Sequence, residues 1–357
     1  MARVEPIQAD AHAALAAFCS AFPGNTLDRD IWLRRFHFWW EDNPACPDSW
    51  TRGWLLREAG RIVGLLADIP TRWRILGQDQ PVSTLSTWRV LPEFQGESLK
   101  LLTAAVAAGR NRVIFNTTPT ADVAAILRGF RFRNLREGGL AEHVLLADPA
   151  FLAWKLRADR GLPTLLGRPI ARVVHLAQRV CLGWRGWGLG ELRVAVLDRA
   201  GPELDRLWRE TSDRVGFASV RRREDLDWLV FRNPIHRLLL LGCRDQAGGL
   251  VGHGLFQRQP VARPPEGEHL VCLDLWSRDD APRAALLRAA VDLATRSGIG
   301  LVRVPHLHGD LARAATRAGL LVRPARPATI YCRLPRAIDP ATVSGGHLGG
   351  PLGDVIL

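Results

Sequence analysis

At 357 residues the chain is long for one domain and fits two. Hydrophobic residues make up 47% of it and charged residues 24%, a balance that excludes collagen-like, disordered and disulfide-scaffold chains. The formal net charge of +12 is uneven: residues 1–150 hold 17 basic and 16 acidic side chains, residues 151–357 hold 31 and 20. Only Lys100 and Lys155 among the basic residues are lysine, a bias that GC-rich coding yields as readily as a polyanionic partner. No run of about 18 apolar residues marks a membrane-spanning helix. Glu5 stands where a signal peptide needs its apolar run. Cys19, Cys46, Cys181, Cys243, Cys272 and Cys332 are scattered singly and read as reduced, mostly buried thiols of a cytoplasmic protein.

In chain order, residues 4–7 read as a strand and 13–18 as an amphipathic helix. A Trp-rich helical segment with Trp32 runs up to Asn43-Pro44, and the turn at 60–64 feeds a strand. Residues 84–90 form a strand with Trp88 near its end, 101–108 a helix, Asn116 a strand end, and a helix closes at Gly129-Phe130. The order then returns. A strand at 194–197, a helix at 203–208, Trp228 with Asn233-Pro234, a turn at 248–252, Trp276 and Gly319-Leu320 follow at offsets of 188 or 190. Such self-similarity marks a duplicated unit. Each unit reads as strand, helix, helix, strand, turn, strand, strand, helix, strand, helix, strand, which predicts an α+β architecture of two tandem domains, each a mixed, mostly antiparallel sheet flanked by helices. The expected boundaries are 1–150 and 193–336, joined by a basic helical linker at 151–192 and followed by a tail at 337–357.

The joint between Trp88 and Leu102 has the makings of an anion site. A strand, a short polar loop with Gly96 and a helix N-terminus bring unpaired amides and a positive dipole end together, and Gly96 lets the backbone approach a ligand. These residues resemble the GNAT acyltransferase superfamily, whose members carry V-x-P-x-x-(Q/R)-(G/R)-x-G-x-(G/A) at this place. Val90, Pro92, Gln95 and Gly96 match, whereas Ser98 and Lys100 replace a glycine and a Gly or Ala. The resemblance continues through Asn116, Pro119, Ala121 and Gly129-Phe130, spanning most of 1–135 and, more faintly, 190–335. It implies acyl-coenzyme A, acetyl or longer, with its pyrophosphate on the loop amides; the coenzyme-binding residues it points to are Val90, Gln95, Gly96, Glu97, Ser98, Leu99, Lys100 and Asn116. A cation at Lys100 suits a pyrophosphate. The second unit has a loop three residues shorter, with Asp279, Asp280 and Pro282 and no glycine; carboxylates repel a pyrophosphate and proline lacks an N–H. The coenzyme is therefore expected in the first domain.

The resemblance implies acyl transfer to an amine or hydroxyl of a small-molecule, sugar or envelope-precursor acceptor, without a metal. Asp68, Glu93 and His143 are the candidate bases. The family's tyrosine general acid falls at Ala125, and the single tyrosine, Tyr331, lies in the second unit. Two other readings stand beside this one: a transferase like the Fem enzymes, using aminoacyl-tRNA, for which the basic second half speaks, and a non-catalytic binding protein that has kept the fold.

Between the units, residues 168–182 form a two-faced helix, with Arg168, Arg172, His175 and Arg179 on one side and Ile170, Val173, Val174, Ala177 and Cys181 on the other, followed by Trp184 and Trp187. It reads either as a helix lying weakly on an anionic membrane or, preferred for its small apolar face, as a linker packing that face on a domain. Arg221-Arg222-Arg223 reads as the solvated start of a helix rather than a phosphate site. His306 and His308 alternate as on an extended segment, and the second suits a strand-end turn better than a metal site. Five of the 13 tryptophans fall within 32–54 and suggest core and groove lining.

Overall fold

The computed structural model describes residues 2–137, 139–185, 192–260, 268–317, 320–326, 329–344 and 346–349. Gly319, Trp187 and the side chains of Cys181 and Trp184 lie outside the described residues. The first half runs β1 (Arg3–Pro6), α1 (His12–Ala21), α2 (Arg29–Phe36), β2 (Gly53–Glu58), β3 (Arg61–Ile75), β4 (Gln78–Val90), α3 (Leu99–Ala108), β5 (Ile114–Asn116), α4 (Ala121–Gly129), β6 (Arg133–Asn134) and β7 (Leu140–Leu146). Helices α5 (Pro149–Arg160) and α6 (Thr164–Arg185) join it to the second. That half runs β8 (Arg193–Val196), α7 (Pro202–Thr211), β9 (Phe217–Ser219), α8 (Arg223–Leu226), β10 (Leu238–Arg244), β11 (Leu250–Pro260), β12 (Glu268–Ser277), α9 (Asp280–Arg296), β13 (Leu301–Pro305), α10 (Gly309–Arg317), β14 (Leu321–Arg326), β15 (Tyr331–Arg333) and α11 (Pro340–Ser344).

Two mixed, mostly antiparallel sheets result, as the repeat predicts. The first has the order β1-β2-β3-β4-β5-β15-β6, with β9 paired to the far end of β3; the second has the order β14-β7-β13-β12-β11-β10-β8. Each contains a single parallel step in these pairings, β4 with β5 and β12 with β13. Helices cover both faces of the first sheet: α1 and α2 pack on Leu55, Leu65 and Ile69, while α3 and α4 pack on Leu56, Leu66 and Leu85.

The sheets have exchanged strands. β15, late in the chain, lies between β5 and β6 of the first sheet, pairing Tyr331 with both Asn116 and Asn134. β7, from before the linker, lies between β13 and β14 of the second, pairing His143 with Val304 and Val322. Sheet membership thus crosses the 150/193 division read from the sequence. A fragment ending at residue 150 lacks the strand that joins β5 to β6 and carries β7 without its sheet. It is expected to aggregate rather than melt cooperatively; a soluble fragment with a sharp thermal transition in circular dichroism would contradict this dependence.

The halves also share a core. Residues 190 apart meet where they face each other: Phe38 and Trp228 stack at 4.8 Å, and the Trp228 indole N–H donates to the Phe38 carbonyl at 2.7 Å. Both sit in single π-helical turns, His37–Glu41 and Asp227–Phe231, which end at the two Asn-Pro pairs. Asn43 closes the first turn by donating to the carbonyls of Trp39 and Pro70 at 2.9 and 2.8 Å. Trp32, Trp39, Trp40, Trp50 and Trp54 are all buried, so this cluster is core and lines no groove. Charged pairs lock the β3–β4 hairpin to the second half: Asp79 accepts from Arg74 at 2.7 Å and from Arg222 at 2.5 Å, and Arg72 pairs with Glu224 and Asp225. Among the described thiols, Cys19, Cys243, Cys272 and Cys332 are buried and Cys46 half-buried, and burial pushes Cys19 up to about 12.

Candidate active site

β4 and β5 pair only at Ser83 with Ile114 and Thr84 with Phe115. Beyond that point the parallel strands part. On the β3 side, β4 carries a bulge: Ala67 opposes Ser86 and Leu65 opposes Arg89, so Thr87 and Trp88 stand opposite Leu66 alone, with Thr87 at φ 51°. The gap opens toward the loop that follows Val90, a 3-10 turn (Pro92–Glu97) continuing through Ser98 into α3.

That loop is held by its own side chains. Gln95 donates to the Val90 carbonyl at 2.6 Å, fixing the loop to the strand end, and Val90 itself is buried. The bonds across the joint between the turn and α3 run from the Ser98 amide to Gln95 (3.1 Å) and from the Leu101 amide to Ser98 (3.2 Å); Leu99 and Lys100 make none across it. No side chain caps α3, and its first turn carries no acid. A Cβ at Gly96 meets nothing within 4 Å. Lys100 differs from expectation: its ammonium is already bound to Glu97 at 2.6 Å and to the Ala2 carbonyl at 3.3 Å. That hydrogen bond holds the Glu97 carboxyl below its ordinary range, so the two charges cancel beside the loop.

One row of side chains crosses the α3/α4 face at the level where β4 and β5 separate. Asp68 opposes Leu85, Thr84 pairs with Phe115 just before Asn116, and Tyr331 opposes both Asn116 and Asn134. Leu85 and Tyr331 share one core cluster with α3 and α4. Asp68 is buried; its Oδ2 accepts from the Ser83 hydroxyl at 3.0 Å and its Oδ1 has no partner. Burial pushes this carboxyl up to about 7, against the opposing pull of Arg112 and Ser83. The Asn116 Oδ1 is likewise buried and unpartnered. The strand exchange therefore carries the single tyrosine into the first sheet, where its hydroxyl accepts from Arg128 of α4 at 2.9 Å, on the helix where Ala125 replaces the expected tyrosine. Nothing local in the sequence signals that placement.

The other two candidate bases lie elsewhere. Glu93 is exposed on the 3-10 turn and pairs with Arg61 at 3.4 Å, away from the row. His143 is in the second sheet on β7, against His306 and with Thr316 Oγ1 at 3.1 Å; burial and then His306 bring it down to about 4.

The second half closes the corresponding places. The N-terminus of α9 is capped by the Asp279 carboxylate, which accepts from the Ala281 amide at 3.0 Å, and Asp280 follows in the first turn. β12 and β13 pair from His269 to Val271 and then part. Beyond that point Asp274 and His308 come together with His347, their ligand-type atoms within 4.8 Å of one another. Both Asp274 oxygens accept from Arg221, at 2.5 and 3.1 Å, and Oδ1 also meets His347 Nε2 at 2.9 Å. A guanidinium thus stands where a cation would have to sit. Burial drives the Asp274 carboxyl up, but Arg221 and His347 overcome it and hold it well below the carboxylate range. Two sequence readings are corrected here. Arg221 is 1% exposed, not a solvated helix start, and Arg222 is tied to Asp79. His306 and His308 do not lie on an extended segment: the strand ends at Pro305, His306 meets His143, and His308, in the turn expected for it, stacks on His347.

No protein-family model matches the sequence, and no curated protein matches it. Solved structures do. An N-myristoyltransferase of Saccharomyces cerevisiae with bound myristoyl-CoA superposes with a TM-score of 0.56 at 11% identity, over 98% of this chain and 88% of that one. A probable N-acyltransferase of Enterococcus faecalis V583 and a GCN5-related N-acetyltransferase of Anabaena variabilis each give 0.57, at 9% and 10% identity, over 94% of this chain and 73% of theirs. The fold is that of the GNAT proteins. Each half of the chain builds a GNAT-like sheet that takes in one or two strands of the other half. Among the described residues, no helix is long and apolar enough to cross a membrane.

Proposed function

We propose that the chain transfers an acyl group from acyl-coenzyme A to an amine, with the coenzyme on the first sheet. The observation that carries this reading is the contrast between the two halves. Helix α3 begins uncapped and acid-free beside parted strands, whereas α9 begins under its own carboxylate beside a gap holding a buried ion pair. The proposed position of the pyrophosphate is Gly96–Lys100, with the amides of Leu99 and Lys100 and the positive end of α3 as its partners. The pantetheine arm then runs between β4 and β5 toward the Asp68 row. From Val90 down to Leu85 is five strand residues, roughly 17 Å at strand rise, a span comparable with the extended arm.

Asp68 is the proposed base, taking the proton of the amine as it attacks the thioester carbonyl; Tyr331 is the proposed donor that returns a proton to the departing thiolate. The Saccharomyces neighbour was solved with myristoyl-CoA, so both a short and a long acyl chain belong in the test. Isothermal titration with acetyl-CoA and myristoyl-CoA is expected to show saturable binding of at least one. Binding of neither would move the assignment to an aminoacyl-tRNA-dependent or non-catalytic protein.

Asp68 makes a pH prediction with a definite sign. With a folded pKa of about 7, the carboxylate needed for catalysis accumulates above that pH, so kcat rises through pH 7 as one proton leaves. Asp68→Asn is expected to lower kcat by roughly 10²- to 10⁴-fold and abolish this limb. Stability moves oppositely. Between the unfolded carboxyl pKa and about 7 the folded state binds the extra proton, so stability falls as pH rises across that window, and Asp68→Asn removes the fall. Urea titrations at several pH values check it. Tyr331→Phe is expected to lower kcat while leaving the coenzyme's dissociation constant unchanged; an unchanged kcat would remove the tyrosine from the mechanism.

A further inference from the structure

The linker helix α6 packs the opposite side from the one its sequence favours. Gly167, Ala171 and Gln178 face inward and are buried; Gln178 Oε1 accepts from the Leu146 amide at 3.2 Å, and His175 Nδ1 lies 3.1 Å from the Leu146 carbonyl. The small inner side seats the helix closely on β7 and α5. Val174 packs inward, half-buried, but most of the large aliphatic residues are left outside. Leu165, Leu166, Ile170, Val173, Leu176 and Val180 are exposed, from 43% at Ile170 to 88% at Leu165, and they are six of the eleven exposed large hydrophobic residues among those described. The run 166, 170, 173, 176, 180 follows helical spacing, so the six form one stripe. Exposure of this kind on one face marks an interaction surface rather than scattered surface hydrophobics.

Charge identifies what covers it. Arg168, Arg172 and Arg179 are exposed along one border of the stripe, and α6 carries four arginines with no aspartate or glutamate in its 22 residues. Asp292 of α9 lines the cleft of about 160 Å³ beneath the helix, where Arg288 and Arg179 flank it. A second copy of the chain laid antiparallel on the stripe would set arginine rows against each other. The described part of the stripe is aliphatic, without the Trp, Tyr or Met anchors of protein interfaces. Branched aliphatics between arginines suit an acyl boundary beneath a layer of phosphates, which guanidinium groups reach while their stems stay in apolar surroundings.

We infer that α6 lies in the surface of an anionic phospholipid bilayer, its stripe in the acyl boundary and its arginines on lipid phosphates. The inference is independent of the acyl-transfer reading. Co-sedimentation of the full chain with phosphatidylglycerol/phosphatidylcholine vesicles at low salt is expected to retain the protein, and pure phosphatidylcholine or high salt to release it. Arg168→Gln/Arg172→Gln, which keeps the stripe, is expected to lower the partition coefficient on the order of thirty-fold. Val173→Ser/Leu176→Ser, which keeps the charge, is expected to lower it as clearly. All four side chains are exposed, so thermal melts of both variants should match the wild type. Wild-type protein left in the supernatant, or stripe variants that bind unchanged, would overturn the inference. So would a vesicle-free dimer in sedimentation velocity that Val173→Ser/Leu176→Ser splits, because a second copy would then be the occupant.

Discussion

Gly96→Asp is expected to abolish acyl-CoA binding while leaving the fold intact. Both halves of that statement come from the glycine's surroundings. A Cβ there meets nothing within 4 Å, and Gly96 is not among the residues with positive φ, so an aspartate fits without strain. Its carboxylate would stand two residues before Ser98 and three before Leu99, at the start of α3. It would set a carboxylate beside the free amides at the start of α3, as Asp279 does at α9. Against a pyrophosphate at about 5 Å, at an effective surface dielectric of about 20, each unit of like charge costs about 3 kcal/mol, a loss on the order of a hundredfold in Kd or more. Gly96→Ala, which adds bulk without charge, should lose far less. Titration calorimetry beside a thermal melt separates the outcomes: an unchanged Kd in Gly96→Asp would place the coenzyme elsewhere, and a collapsed melting temperature would mean that the loop has a structural role.

Arg221→Met is expected to destabilise the protein by about 3–5 kcal/mol. Arg221 and Asp274 are each about 1% exposed and bound through two hydrogen bonds. Removing the guanidinium leaves a buried carboxylate with His347 as its closest remaining partner. Burial, with Arg221 adding to it, now holds His347 down at about 4; without Arg221 that imidazole binds a proton more readily and becomes the counter-charge. The deficit relative to wild type should therefore be smaller in acid and widen as His347 loses its proton. Arg221→Met/Asp274→Leu removes both charges and should recover most of the loss, since a buried pair contributes little net stability over apolar residues of similar volume. Urea denaturation of the two variants at several pH values tests both statements; equal stability of the single and double variants would refute the recovery, and a deficit that does not change with pH would refute the role given to His347.

The duplicated architecture was legible because its landmarks, such as Trp88 with Trp276 and Asn43 with Asn233, sit at nearly constant offset, and local patterns suffice to place strands and helices within each copy. The exchange was not. β7 and β15 are seven and three residues long, and a short strand has the same alternation whichever sheet receives it; the choice rests on contacts made across most of the chain. Tyr331 was visible as a residue but not as a neighbour of Asn116 for the same reason. The strand, loop and helix start around Gly96 were readable because they depend on local backbone, whereas the bond from Lys100 to Ala2 is a contact between distant segments. In α6 the two-sidedness was plain, but periodicity does not say which side faces inward. Gly167 and Ala171 show why: closeness of approach, not hydrophobic area, decided the packing.

On the ribosome the exchange imposes an order of events. Helices α1 to α4 and strands β1 to β6 emerge early, yet the slot between β5 and β6 stays open until β15 is made, after every strand of the second sheet. Throughout that interval the nascent chain presents unpaired strand edges, and β7 waits for β13, still unsynthesised, as its inner neighbour. The first sheet, with Asn116 set beside Tyr331, is thus complete only after the second half has been made, and chaperone dependence should be greatest when synthesis pauses within that half.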